Sequence, residues 1–119
     1  MTDTLKTPDV AEMTRFLAVE VIKPYILARS PRCHRFSDRA LAKWSPDTVP
    51  ADRDMLVEAM RKKGFLVDVL TRLNGERQAL VYMDEKEGDV FSDVANTPGR
   101  AVLMAAYQAV KGMEEQHHD

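Results

Sequence analysis

A chain of 119 residues, 45% hydrophobic and 30% charged, is long enough to bury one core and too short for two domains, so we expect a single domain over residues 1–119 with tails at 1–6 and 114–119. Its net charge of −2 excludes a general attraction to nucleic acid or anionic membranes, and its single cysteine excludes an intrachain disulfide, which fits the cytoplasm. The sequence shows no signal-peptide pattern and no apolar run near the roughly 18 residues of a membrane span, so we expect a cytoplasmic protein without membrane contact.

The first predicted element is a helix that begins at Thr7 and Pro8. A hydroxyl side chain before the first turn and a proline at its first position are typical of helix starts, because the hydroxyl accepts an N–H bond and the proline lacks an N–H that would stay unpaired. Apolar residues then recur at three- and four-residue steps and predict one buried face: Val10, Met13, Phe16, Leu17 and Val21. Pro24 lies inside this pattern, so we expect the helix to stop or kink near Ile22 or Lys23.

The next segment is predicted to be a loop followed by a longer helix. Ser37 can cap a short helix that holds Leu41 and Trp44, and the indole is expected to pack onto the core as a plug. A second helix is predicted from Pro50 to Lys63, because acidic residues occupy its first turn and basic residues its last, in the order that the helix dipole favours. Gly64 follows as its C-terminal stop.

Two strands joined at Asn74–Gly75 are the feature around which the rest of the chain is organised. The runs at 65–73 and 77–83 are rich in Val, Leu and aromatic residues, and Asn-Gly between them favours a two-residue type I′ turn. The register predicted from that turn pairs Leu73 with Glu76, Leu70 with Ala79, Val69 with Leu80, Val67 with Tyr82 and Leu66 with Met83. Both faces of the hairpin would then be apolar, so we expect helices or a partner to cover both.

A third strand from Val90 to Ala95 and a helix opening at Thr97–Pro98 complete the predicted fold. The helix carries two neighbouring rows of small residues, which let its backbone approach the sheet closely: Ala101, Ala105 and Ala109, and Val102, Ala106 and Val110. Gly112 is expected to end it. The prediction is an α+β fold with a three-stranded antiparallel sheet flanked by helices, in the order α-(α)-α-β-β-β-α.

Sequence motifs for catalysis are absent from the chain. No phosphate loop, dinucleotide-binding glycine pattern, nucleophile elbow or H-E-x-x-H pair occurs. Cys33–His34 joins a thiol to an imidazole, but adjacent loop residues seldom point the same way and no third group orients them. A terminal tail gives His117 and His118 no fixed geometry for a metal. We therefore expect no catalytic, metal or cofactor site and no enzymatic activity.

Charge is concentrated in two segments. The basic segment comprises Arg29, Arg32, Arg35, Arg39 and Lys43, and the acidic segment comprises Asp84, Glu85, Glu87, Asp89 and Asp93. The acidic segment lacks the spacing of a calcium loop, which leaves a solvated hairpin connection or a contact surface for a basic partner. The basic segment has Phe36 and Trp44 as its stacking groups and no reading helix, so a solvated loop is favoured and nucleic-acid binding is kept as an alternative.

Two short motifs resemble a known family. Trp44-Ser-Pro-Asp47 before a helix that ends at Gly64-Phe65, and Ala95-Asn-Thr97-Pro98 leading to Ala101-Val102 and Ala105-Ala106, are similar to the small phage and prophage proteins of the phage ABA sandwich domain. The resemblance covers roughly residues 38 to 110. It implies a three-layer fold in which helices sandwich an antiparallel sheet, and it carries no activity or site. Small acidic phage proteins often act by occupying a host or defence protein, CRISPR inhibitors included.

Three hypotheses about function follow from these patterns. The leading one is a non-enzymatic phage or prophage accessory protein that binds a host protein, such as a CRISPR-type defence complex, in the host cytoplasm. Its contact surface would combine the acidic segment with apolar residues on an outer sheet face: Leu66, Leu70, Val81 and Met83. The second is a homodimer with a structural or scaffolding role, in which a second copy covers that face. The third is nucleic-acid binding through the basic segment.

Overall fold

The computed structural model describes residues 9–29, 42–83 and 90–116. The first stretch is helical throughout, as α1 (Val10–Leu17), a π-helical turn (Ala18–Ile22) and α2 (Lys23–Arg29). The elements that follow are α3 (Pro50–Lys62), β1 (Phe65–Thr71), β2 (Arg77–Met83), β3 (Phe91–Ala95) and α4 (Pro98–Gln116). The strands form an antiparallel sheet in the order β1-β2-β3, which confirms the predicted α+β class and order of elements. No helix in these three stretches is both long and apolar enough to cross a membrane.

The first helix begins two residues later than predicted. Asp9 is its N-cap, with an extended backbone, and its Oδ1 accepts a hydrogen bond from the Glu12 N–H at 2.8 Å. An aspartate caps at least as well as a threonine and also favours the positive end of the helix dipole. The predicted start residues Thr7 and Pro8 lie outside the described part of the chain, and the helix itself begins at Val10, after the Asp9 cap.

Pro24 neither stops the helix nor leaves it regular. The chain remains helical from Val10 to Arg29, and the distortion lies in the π-helical turn just before the proline, where the Lys23 N–H donates to the Ala18 carbonyl five residues back. A proline cannot donate to the carbonyl four residues before it and its ring crowds that carbonyl, so a wider turn relieves both problems. The predicted stop is wrong, and the alternative kink takes the form of this turn.

The hairpin loop has three residues instead of the predicted two. The Arg72 N–H donates to the Glu76 carbonyl at 2.8 Å, and the Gly75 N–H donates to the Arg72 carbonyl at 2.9 Å. Gly75 has a φ of 91°, and no non-glycine residue in the described part of the chain has a positive φ. A type I′ turn needs positive φ at Asn74 as well, so the connection is instead a type I turn closed by a glycine bulge.

The longer loop shifts the strand register by one residue. Phe65 lies opposite Met83, Val67 opposite Val81 and Val69 opposite Ala79. In the described strands, the odd-numbered residues therefore face the helices and the even-numbered residues face away from them. The inner face carries Phe65, Val67, Ala79, Val81, Met83, Phe91 and Ala95, all of them in the buried core or packed against it. We call the opposite side the outer face: Leu66, Asp68, Leu70, Gln78, Leu80, Tyr82, Ser92 and Val94.

Helix α4 lies at the centre of the molecule. It contacts all three strands on one side and helices α1 and α3 on the other. Its buried residues are Ala101, Val102, Leu103, Ala105, Ala106, Ala109 and Val110, so both predicted rows of small side chains are in the core. Helix α3 also contacts β1 directly, so the sheet packs against α4 and α3, and α1 packs on α4. Every fully buried residue of the described strands is on the inner face. The second layer of helices expected over the outer face is therefore not found among the described residues.

Gly112 lies inside α4 and does not end it, because the helix continues to Gln116. A Cβ placed on Gly112 would lie 3.1 Å from the Phe91 ring, which is tighter than ordinary van der Waals contact. The glycine therefore gives the Phe91 ring room against the helix, and the prediction that it stops the helix is wrong. Gly64, in contrast, follows α3 with a φ of 102°, which confirms its predicted role as a C-terminal stop.

Candidate functional site

The outer face of the sheet is mostly apolar and lacks fully buried residues. Leu66, Leu80 and Val94 are half-buried, and Leu70 is 49% exposed. None of the four belongs to the core cluster or to the apolar residues packed against it. Several apolar side chains outside the core on one face of a small protein are typical of a surface that contacts another molecule.

A hydrogen-bonded pair of polar side chains, Asp68 and Tyr82, lies on the outer face beside Leu66 and Leu80. The Tyr82 hydroxyl donates to Asp68 Oδ2 at 2.7 Å, across the β1–β2 ladder. The second carboxylate oxygen can still accept a bond, because an ionised carboxylate has more lone-pair sites than one donor uses. The face therefore offers an apolar surface with one oriented negative charge.

Half of the apolar contact residues predicted from the sequence are on the other side of the sheet. Leu66 and Leu70 are on the outer face, as predicted. Val81 is fully buried on the inner face and Met83 packs against the core beside it, so both predictions are wrong. A slip of one residue turns every side chain of a strand to the other face, and Leu80 and Tyr82 occupy the predicted places.

Asp93 does not join an acidic surface on the outer face. It lies on the inner face opposite Ala79, and its Oδ2 accepts a hydrogen bond from Gln108 Nε2 of α4 at 2.7 Å. The Gln108 amide also lies 3.4 Å from the Ser92 carbonyl, so this contact ties the edge strand β3 to α4. The remaining residues of the acidic segment lie outside the described part of the chain: Asp84, Glu85, Glu87 and Asp89.

Most of the basic segment also lies outside the described residues. The backbone of Arg29 ends α2, and Lys43 is exposed at the end of a short helical stretch before Trp44. The other predicted nucleic-acid contacts, Arg32, Arg35 and Arg39, fall outside the described residues. The Cys33–His34 and His117–His118 pairs fall outside them as well. The structure therefore adds no support to the nucleic-acid alternative.

The far end of the hairpin extends beyond the helices. From Asp68 to the loop, every residue of β1 is exposed, including Val69 at 41% and Leu70 at 49%. Leu73 in the loop is fully exposed. The sequence predicted these residues to be part of a covered sheet, because periodicity shows which residues share a face but not how far a helix reaches along it.

The two motifs behind the family resemblance meet in the structure. A Cβ on Gly99 would lie 2.4 Å from the Pro46 carbonyl oxygen and 2.8 Å from that of Asp47, so the Trp44–Asp47 loop rests directly on the first turn of α4. Arg100 adds a two-pronged contact, with Nε 3.1 Å from Asp47 Oδ1 and Nη2 3.0 Å from Oδ2. This hydrogen bond and the carboxylate charge raise the pKa of Arg100 above its ordinary value. Trp44 is 4% exposed, which confirms the predicted plug.

A cleft of about 570 Å³ lies beside this contact, at the first turn of α4. Its lining includes Asp47, Thr48, Glu76, Thr97 and Arg100. The polar groups of the lining are largely engaged with one another, since Arg100 binds Asp47, the Thr97 hydroxyl accepts from the Arg100 N–H, and Thr48 bonds Ser45. We interpret the cleft as part of the joint between loop and helix.

Comparison with known proteins adds no relative. No family model, no curated protein and no solved structure matches the chain. Within residues 9–29, 42–83 and 90–116, no three His, Cys, Asp or Glu side chains lie close enough together to hold a metal ion.

Proposed function

We propose that this protein acts by binding another protein through the outer face of the sheet, and not by catalysis. The observation that carries the proposal is a set of four apolar residues on that face, with no described helix over it: Leu66, Leu70, Leu80 and Val94. Full burial of one leucine is worth about 1.5–3 kcal/mol, so covering several of these side chains supplies much of the free energy that a protein complex needs.

The residues of the outer face favour a partner that is apolar and positively charged at the contact. Tyrosine is enriched among the residues that dominate protein interfaces, and Tyr82 is held in place by its bond to Asp68. The acidic residues that follow Met83 in the sequence place further negative charge after β2. The partner is therefore a protein with an apolar patch bordered by lysine or arginine side chains.

The resemblance to the phage ABA sandwich domain supports a more specific form of this proposal. The chain would be a phage or prophage accessory protein in the host cytoplasm, and its partner a component of a host defence complex of the CRISPR type. A defence protein that binds nucleic acid carries a basic surface, and such a surface would attract the acidic residues beside the apolar contact surface proposed here.

The proposal is tested by a double variant of the outer face, Leu66→Gln with Leu80→Gln. Both side chains are on the same face and both are half-buried, so the exchange removes apolar area without touching the core. Val19→Gln is the matched control, because Val19 is 53% exposed on the first helix. Tagged forms of all three proteins are used for pull-down from the host and for phage plating on cells with an active CRISPR-type defence.

We expect the wild type and the Val19 variant to capture the same partner and to raise plating efficiency. The double variant should retain less than about a tenth of both effects, because interface free energy is concentrated in a few central residues. Capture of the same partner by the double variant would rule out the outer face as the contact surface. Binding without any change in plating would leave protein contact in place and remove the anti-defence role.

A further inference from the structure

The edge of β1 is a second surface, distinct from the outer face. β1 is an edge strand of the sheet, and its seven residues make it longer than the opposite edge strand β3, which has five. It contains neither proline nor lysine. Natural proteins usually protect an edge strand of this length with such residues or with a bulge, because its open backbone groups pair readily with another strand.

The ladder shows which backbone groups of β1 point away from the sheet. The Arg72 N–H, just after β1, donates to the carbonyl of Glu76, just before β2. Because hydrogen-bonded positions alternate along an antiparallel strand, the even-numbered residues of β1 bond to β2 and the odd-numbered residues point outward. The outward groups in the exposed half of the strand are those of Val69 and Thr71, and no described strand pairs with them.

We propose that a second copy of this chain occupies this edge, with the two β1 strands antiparallel and Leu70 on the twofold axis. The exposed part of the strand and its extension runs from Asp68 to Arg72, and Leu70 is its middle residue. In this register Val69 and Thr71 of each copy exchange hydrogen bonds with Thr71 and Val69 of the other. Leu70 lies against Leu70 of the second copy, which covers one of the most exposed leucines of the fold.

Charge selects this register over the one with the longest overlap. With Leu70 at the centre, Asp68 lies opposite Arg72 of the second copy, and the same pair occurs again across the axis. A register centred on Asp68 would pair all seven residues of the strand but would set two aspartates directly opposite each other, and like charges at such positions are destabilising. The sequence of the exposed edge is thus complementary to itself under a twofold axis.

The pairing goes beyond the proposed function, because its hydrogen bonds use the open backbone edge of β1. The side chains of Asp68 and Leu70 belong both to this contact and to the outer face. It would join two sheets into one of six strands and place two outer faces side by side. The two ideas fail separately: Leu66→Gln with Leu80→Gln tests the outer face and leaves the edge intact, while Arg72→Asp tests the edge and leaves the residues of the outer face unchanged. Asp68→Arg also removes the bond to Tyr82, so Arg72→Asp is the variant that separates the two ideas.

Sedimentation velocity across the micromolar range, with single charge reversals, tests the pairing. We expect the wild type to be a reversible dimer. In Asp68→Arg two arginines face each other at both contacts, and in Arg72→Asp two aspartates do, so each variant should dimerise at least about tenfold more weakly. An equimolar mixture of the two should form a heterodimer, because each contact again joins an aspartate to an arginine. Arg15→Asp, the same charge change on α1, should dimerise like the wild type.

Three results would overturn the proposal. A wild type that stays monomeric throughout the range removes the dimer. Single variants that dimerise like the wild type place any dimer on another surface, and a mixture that fails to associate rejects the register. Circular dichroism confirms that each variant is folded. Leu70→Glu, which sets two carboxylates on the axis, should also abolish the dimer, and it tests the edge through a residue outside the Asp68–Arg72 contact.

Discussion

Among the described glycines, Gly99 is the one packed most closely against other backbone atoms. The chain places the carbonyl oxygens of Pro46 and Asp47 so close to it that a Cβ could not fit without moving the loop. Those oxygens belong to the backbone, so neither can turn aside as a flexible side chain would. We predict that Gly99→Ala destabilises the protein by about 1–3 kcal/mol, the range for forcing an extra methyl group into a packed interior.

Gly112→Ala provides the control for this prediction. Its neighbour is the edge of the Phe91 ring at 3.1 Å, which can move by a few tenths of an ångström. Alanine also stabilises a helix interior by up to about 1 kcal/mol relative to glycine, so the net change should be small. Urea unfolding followed by the fluorescence of Trp44, the single tryptophan, measures both free energies. Equal losses at the two positions would mean that the loop is not held against α4 as described.

The conformation of the hairpin loop predicts different stability costs for substitutions at Gly75 and Asn74. Gly75 alone has the left-handed conformation, so Gly75→Ala should cost about 1–2 kcal/mol. The φ of Asn74 is not positive, and within the described part of the chain its side chain bonds Glu76 at the surface. Asn74→Ala should therefore change the free energy of unfolding by about 0.5 kcal/mol or less. A two-residue turn would need positive φ at both positions and would make the two costs similar.

The register of that hairpin is checked directly by NMR. Val67 and Val81 lie opposite each other at a position without paired backbone hydrogen bonds, where the two Cα atoms are closest. A strong nuclear Overhauser effect between their Hα protons is expected, and none between Val67 and Tyr82. The reverse pattern would restore the register predicted from the sequence and return Val81 and Met83 to the outer face.

A helix or turn could be predicted from the sequence where the residues that determine it are adjacent in the chain. The capping at Thr97–Pro98 and the stop at Gly64 are local and were predicted correctly. The loop was not, because Asn-Gly fits a two-residue turn and also the end of a three-residue loop, and the bonds that decide between them are made by Arg72 and Glu76. That single ambiguity moved half of the predicted apolar contact residues to the wrong face.

At the scale of the whole molecule, the sequence correctly indicated an antiparallel sheet covered by a helix of small residues. It did not show that α4 would be buried on both of its sides. Alanine and valine rows predict close approach but not whether a sheet or other helices provide the second contact. The outer face was consequently expected to be covered by helices, and the absence of any described helix over it is the finding on which the proposed function depends.

Amide hydrogen exchange measures both the burial of α4 and the openness of the β1 edge. In α4, which is buried between the sheet and the other helices, amides should exchange most slowly, because they open only when the whole fold does. Along β1 the rates should alternate in dilute solution: the amides of Asp68 and Leu70 bond to β2 and are protected, while those of Val69 and Thr71 point outward and exchange fast.

Raising the protein concentration should then slow Val69 and Thr71 by about tenfold or more while Leu70 changes little, because pairing of two β1 edges protects outward amides in proportion to the dimer formed. Arg72→Asp provides the comparison, since it keeps the alternation and should lose the dependence on concentration. Fast exchange of Val69 and Thr71 at every concentration would show that the edge stays open. Slow exchange even in dilute Arg72→Asp would show that another segment of the same chain covers it.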